Sequence, residues 1–351
     1  MKYYQLLFAV VLFLAFASVS CRKEENPTDK TFTLPQEEIR DGGPGKDGIP
    51  ALENPTFISE SEATYLDDEN LVIGYKVGTD IRAYPHAILD WHEIINDDVQ
   101  GEAVAITYCP LTGTGIGWSR IVAGETTTFG VSGLLYNSNL IPYDRATDSD
   151  WSQMLLESIS GTRSNQSIET FPVVETTWAT WKKMYPTTKV VSDNTGHSRN
   201  YSRYPYGDYR TDQEQLLFPI TNYDTRLPFK QRVHGVIVNG TAKVYPVSDF
   251  SNSAVEIITD EFEGSQLLIV GHSAENFVTS FQLAVDDNNT YTAVQDQLPV
   301  IFEDALGNQY DVFGEVVSGP AVGERLSPTI SFIGYWFAWG TFYEGAEIYT
   351  P

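Results

Sequence analysis

The stretch Gly74–Cys109, GYKVGTDIRAYPHAILDWHEIINDDVQGEAVAITYC, has an echo at Gly235–His272, GVIVNGTAKVYPVSDFSNSAVEIITDEFEGSQLLIVGH. Gly74 to Tyr84 spans ten steps and so does Gly235 to Tyr245; Glu93 to Cys109 spans sixteen and so does Glu256 to His272. Each copy carries Tyr-Pro, then Glu-Ile-Ile, then an apolar run introduced by glycine. Leu71–Val77 and Ile81–Tyr84 flank Gly78-Thr79-Asp80, a hairpin pattern. After Pro85, the apolar residues Ile88, Trp91, Ile94 and Ile95 recur at helical spacing, and Asn96-Asp97 is expected to close that helix. Ala103–Tyr108 is a short apolar strand. The pattern predicts a β-rich α+β fold built on a duplicated β-β-short helix-β unit.

Outward from the two copies, the units are expected at about 71–120 and 233–283. A large insert (121–230) separates them and an aromatic tail (284–351) follows. In the insert, Thr126–Gly130 and Lys189–Ser192 read as strands, and Thr176-Thr177 cap a helix through Trp178, Trp181 and Met184 that Pro186 stops. Residues 193–213 are polar and tyrosine-rich (Tyr201, Tyr204, Tyr206, Tyr209) and read as a loop. The tail reads as strands ending in Tyr335-Trp336-Phe337-Ala338-Trp339. Together these make one composite domain over 47–351.

The first residues point out of the cytoplasm. Lys2, an apolar run from Leu6 to Val19 and small residues before Cys21 make residues 1–20 a signal peptide, too short for a comfortable membrane span. Ser18-Val19-Ser20-Cys21 reads as a lipoprotein cleavage site, so a lipid on Cys21 is expected to anchor the chain to the bacterial envelope, at the outer membrane and facing the surface. Arg22-Lys23-Glu24-Glu25 resembles the export signal of Bacteroidota surface lipoproteins. Residues 21–46, rich in proline, glycine and charge, read as a polar tether.

Composition narrows the partners. The chain has 22 Lys and Arg against 47 Asp and Glu, a formal net charge of −25. No basic patch stands out, which argues against nucleic acid. The membrane, through the lipid, and an unknown small molecule or envelope protein remain as partners. With Cys21 lipidated, Cys109 is the only thiol, so an intramolecular disulfide and a four-cysteine metal site are both excluded.

Cys109 and His272 hold equivalent positions in the two copies. If the copies pack about a pseudo-two-fold axis, a thiol and an imidazole converge. With His92 they form a soft-plus-imidazole set suited to copper or zinc, for redox or metal handling. Two further readings stand beside it. One is a thiol-dependent enzyme, with His92 as base and Glu93 as a nearby acid. The other is a non-enzymatic binding module using the tyrosine- and tryptophan-rich insert. Tyr108, Thr112 and Arg199 are expected to line the site, whereas His86 reads as structural. The chain has no phosphate loop, HExxH helix or G-x-S-x-G elbow.

Several long motifs carry a family resemblance: DGIPALENPTF at 47–57, AYPHAILDWHEIIND at 83–97, TYCPLTGT at 107–114, FGVSGLLYNSNLIPYDRATDSDWSQ at 129–153 and TTWATWKKMYP at 176–186. The chain resembles a prokaryotic family known as domain of unknown function 3179. The family pattern is similar to Tyr-Cys-Pro-Leu-Cys-Gly-Thr, and here Thr112 replaces its second cysteine. The resemblance therefore implies no dithiol exchange in this member.

Overall fold

Glycine decides where the two hairpins pack. A Cβ on Gly74 would lie 2.1 Å from the ring of Trp181, and one on Gly235 would lie 2.3 Å from the ring of Trp339. Each tryptophan lies flat on the backbone of its hairpin. A computed structural model of the chain describes residues 30–350. The expected signal peptide, Cys21 and the expected tether up to residue 29 lie outside the described residues. Thr31–Pro351 forms one compact unit.

The described fold is β-rich with three α-helices. Strand β1 (Ile39–Asp41) comes first, followed by the hairpin β2 (Leu71–Val77) and β3 (Asp80–Pro85). Helix α1 (His86–His92) leads into the meander β4 (Ile94–Val99), β5 (Glu102–Cys109) and β6 (Thr114–Ser119). A second hairpin, β7 (Phe129–Tyr136) and β8 (Asn139–Asp144), precedes β9 (Val174–Thr177), α2 (Trp178–Met184) and β10 (Lys189–Val191). The later half holds the hairpin β11 (Arg232–Val238) and β12 (Thr241–Pro246), then the meander β13 (Glu256–Phe262), β14 (Ser265–His272) and β15 (Phe277–Leu283). It ends with β16 (Ile330–Tyr335), α3 (Trp336–Phe342) and β17 (Glu347–Ile348).

Strand order is β9-β2-β3-β10 in the first hairpin sheet, with Phe57–Ser59 added at its edge, and β16-β11-β12-β17 in the second. Registers match as well: Val174 pairs with Gly74 and Phe332 with Gly235. The meanders pair Cys109 with Thr114 and His272 with Phe277. Hydrogen bonds tie the earlier and later parts of the chain together, with Tyr335 N donating to the carbonyl of Thr112 at 2.8 Å and the Thr176 hydroxyl to that of Glu275 at 2.7 Å.

Several sequence expectations are corrected. Helix α1 stops at His92, because Glu93 takes φ 58° and reverses the chain. Ile94, Ile95, Asn96 and Asp97 then belong to β4, which is buried on both faces there, so its apolar residues do not alternate as a half-exposed strand would. After the hairpin β11–β12 the chain makes only one 3-10 turn, Val247–Asp249, where α1 follows β2–β3. The aromatic run at 335–339 enters helix α3, every residue of it buried. Strands β9 and β10, inside the stretch read as insert, and β16 and β17, inside the stretch read as tail, complete the hairpin sheets. The tether reading also ends early. From Thr31 the chain packs on the domain, with Phe32 bridging Ser160 and β1 pairing with β7. Gly42 and Gly133 permit this close approach: a Cβ on Gly42 would lie 3.0 Å from the Gly133 carbonyl oxygen, and one on Gly133 would lie 2.6 Å from Gly45. Thr177 caps α2 as expected, accepting from Thr180 N. Among the described residues no helix is long and apolar enough to cross a membrane.

Candidate functional site

Strand β5 is buried on both faces, so its last two residues point opposite ways. Cys109 enters the large apolar cluster with Ile116, Trp118 and Tyr209. Its thiol lies 3.6 Å from the carbonyl of Ser138. Burial, with Glu93 nearby, pushes the thiol up to about 11, against the opposing contacts of Thr112 and Leu140. Thr112 itself bonds Thr114 at 2.8 Å and receives Asn139 Nδ2 at 2.9 Å in a buried polar network with Gln153. Tyr108 points the other way and packs its ring on His86, with centroids 4.2 Å apart.

The expected Cys109–His92–His272 set is not brought together. Both nitrogens of His92 are engaged: Nδ1 lies 2.7 Å from the carbonyl of Pro50 and Nε2 lies 2.7 Å from Tyr201 Oη. A carbonyl only accepts, so Nδ1 carries the proton and Nε2 accepts from the tyrosine. No lone pair is left for a metal. His272 sits in the other half, where its Nδ1 accepts from Glu275 N at 3.2 Å. Among the described residues no group of three His, Cys, Asp or Glu side chains is placed to hold a metal ion. Arg199 lies over the ring of Trp91, 5.8 Å from its centroid, on the outer side of the loop.

What the fold does assemble is a different centre, at the ends of β3, β5, β9, β11 and β16. His86 opens α1 and is 3% exposed; its Nε2 lies 3.4 Å from Glu175 Oε2. Neither ring nitrogen of His86, nor Glu175 Oε2, has a hydrogen-bond partner of good geometry among the described residues. The other oxygen of Glu175 receives Arg232, from β11. Burial works to raise the Glu175 carboxyl, but His86 and Arg232 outweigh it and hold it below its ordinary value. Tyr335 faces the same charges, and burial pushes its phenol up to about 12. Asp90, one helical turn beyond His86, receives Arg210; burial raises its carboxyl despite that partner. Glu93 is buried, 6% exposed. Among the described residues its carboxylate makes neither a hydrogen bond nor an ion pair, and burial alone pushes it up to about 8.

The loop at 193–213 covers this centre, without helix or strand as the sequence predicts. Three consecutive residues of α1 hold it. Asp90 takes Arg210, the Trp91 indole donates to the carbonyl of Arg203 at 3.1 Å, and His92 takes Tyr201. Tyr201 in turn bonds Thr195. At the far end Tyr204 donates to the carbonyl of Pro110 at 3.1 Å and Tyr209 to that of Leu111 at 2.9 Å. The Arg210 guanidinium stands 3.8 Å from the Tyr204 ring centroid, and burial, with the charges of Glu93, Cys109 and Asp90, pushes the Tyr206 phenol up. Tyr209 is wholly buried and serves as an anchor for the loop, not as part of a binding surface.

Sequence reading missed His86, Asp90, Glu175, Arg210, Arg232 and Tyr335. The usable signals were slight: Asp90 adjoins the DWHE motif and Glu175 the TTWATW motif.

Fold and site thus define a β-rich α+β protein with a buried polar centre under a tyrosine-rich cover. The chain belongs to the family described as protein of unknown function (DUF3179), which it matches over residues 46–346. No curated protein and no solved structure matches it.

Proposed function

We propose that the protein is an envelope ligand-binding module, held at the membrane by a lipid on Cys21, whose site is the polar centre beneath residues 201–210. One observation carries this reading: His86 and Glu175 are buried together with hydrogen-bonding capacity unspent. An unmet buried polar atom costs on the order of 1–3 kcal/mol, and a ligand that satisfied these atoms would recover that cost. The cover supports the same reading, since it rests on the centre through polar contacts that can exchange with ligand or water. The test is a thermal-shift screen of neutral and charged metabolites on the full chain and on Arg210→Ala, which loosens the cover. A shift by some compound that Glu175→Gln removes supports binding. No shift with any compound, in either protein, rejects it.

Matching registers and strand orders support a further part of this reading, that the two halves are copies of one unit. That unit is larger than the sequence suggests, since it takes in β9-α2-β10 and β16-α3-β17. The centre would then lie where the copies meet, with His86 and Glu175 from the first and Arg232 and Tyr335 from the second.

Proton transfer is a second reading, favoured by the enclosed and uncompensated carboxyl of Glu93. A buried thiol raised to about 11 gives no comparable support to nucleophilic chemistry at Cys109.

A further inference from the structure

From the matching registers, and independently of the polar centre, we infer that the groove between β13 and β17 docks an extended, basic peptide segment of a partner protein, which adds a strand to the edge of β13.

The earlier part of the chain shows how such a place is filled. There Leu52–Glu53 lies parallel to β4, with Leu52 opposite Ile95 and Glu53 opposite Asn96. Asn54 N donates to the carbonyl of Asn96 at 2.8 Å. The same segment runs on to Phe57–Ser59, which pairs with β10. Leu52 is buried, and the Phe57 ring meets Tyr84 edge-on at 6.0 Å. By register, Ile94, Asn96 and Tyr84 correspond to Ile257, Thr259 and Tyr245, and Lys189 of β10 corresponds to Glu347 of β17. In the later part no described strand takes the place of residues 52–59. Among the described strands β13 is bonded only to β14, and β17 only to β12. A surface groove of about 260 Å³ stands there instead, lined by Tyr245, Phe250, Ile257, Ile258 and Tyr349. Tyr349 lies on Tyr245, with centroids 5.3 Å apart, and forms one wall.

The backbone of β13 is suited to a strand. Phe262 and Ser265 flank a two-residue turn, so their pair exchanges hydrogen bonds. Alternation then turns the amides of Asp260, Ile258 and Glu256 towards β14 and those of Thr259 and Ile257 outward. Side chains close both ends of this edge. Gln295 bonds the N–H and the carbonyl of Val255 at 2.7 and 2.9 Å, and Asp260 accepts from Glu261 N at 2.8 Å. Between them Ile257, half-buried, and Thr259, exposed, offer N–H and carbonyl groups to an added strand.

Charge selects the occupant. Asp249 and Glu256 line the same groove, both exposed and without an ion pair among the described residues. Glu347 stands where the earlier part has a lysine, and Lys243 beside it is already held by Asp260 at 2.7 Å. A segment carrying Lys or Arg next to its apolar residues matches this rim, whereas an acidic one does not.

A phage library of random short peptides, panned on the full chain in detergent, tests this. Selected peptides should share alternating apolar residues with Lys or Arg. Synthetic versions should bind about tenfold more weakly to Thr259→Pro, which removes an outward N–H and leaves the ladder to β14 intact. Tyr349→Ala should weaken them too, and Glu169→Gln, on another surface groove, should not. If Thr259→Pro does not fold, protection of Ile257 and Thr259 in hydrogen exchange on adding peptide replaces it, and unchanged exchange overturns the site. Selection of no peptide, selection of acidic peptides, or binding that Thr259→Pro leaves intact overturns it as well. Slow exchange of both amides before any peptide is added means that the chain itself or a second copy covers the edge, and overturns the partner assignment.

Discussion

At Cys109 the environment outweighs the residue type. A lone thiol next to a glycine turn invites a reactive reading, yet this one is 1% exposed and lies in an apolar cluster. Thiolate is the reacting species, and burial has raised the thiol to about 11. Native chain should therefore resist iodoacetamide at neutral pH, and Cys109 should be modified only after unfolding, as followed by peptide mass spectrometry. Rapid native alkylation at Cys109 would restore the thiol-enzyme reading. His92 teaches the same lesson. Its two hydrogen bonds fix its tautomer and fasten the cover to α1. His92→Ala leaves the Pro50 carbonyl and the Tyr201 hydroxyl without their partner, a loss of about 2–3 kcal/mol. Limited proteolysis should then cut within 193–203 faster than in the wild type. Equal cutting rates would mean that the other anchors suffice.

Elements are where the sequence spoke most clearly, and where it fell short for a definite reason. Hairpins and the Thr177-capped helix are local, so alternation, turn glycines and a cap residue reveal them. Partners drawn from a hundred residues away leave no local trace. The repeated glycines at 74 and 235 were visible, but the tryptophans that require them were not, because β9 and β16 bring α2 and α3 onto the hairpins only in the fold. The same distance hid the centre: His86 looked structural until β9 and β11 set Glu175 and Arg232 beside it. Gly74→Ala should destabilise the protein by about 1–3 kcal/mol through overpacking against Trp181, measured by urea unfolding. Gly235→Ala should cost about as much against Trp339. A neutral effect at both would mean that the tryptophans move aside freely and that the close approach is not a constraint.

For the molecule as a whole, buried titratable groups of opposite sign set the response to acid. His92 is lowered to about 4, first by burial, and His234 to about 3 by burial alone. A histidine whose folded value is depressed contributes its full stability above its unfolded value of about 6.5 and loses it as the pH falls. Between pH 7 and pH 5 each gives up about 2 kcal/mol. Glu93 acts the other way. Its folded value of about 8 lies above the ordinary 4.5, so ionising it opposes folding, and its contribution improves as the pH falls. Over the same window it restores about 2 kcal/mol, enough to offset roughly half of the histidine loss. Wild type should therefore lose only about 1–2 kcal/mol between pH 7 and pH 5, whereas Glu93→Gln, which cannot titrate, should lose about 4. Urea unfolding at the two pH values measures both. If Glu93→Gln and the wild type show the same pH dependence, Glu93 is ionised at neutral pH, and the proton-transfer reading loses its footing.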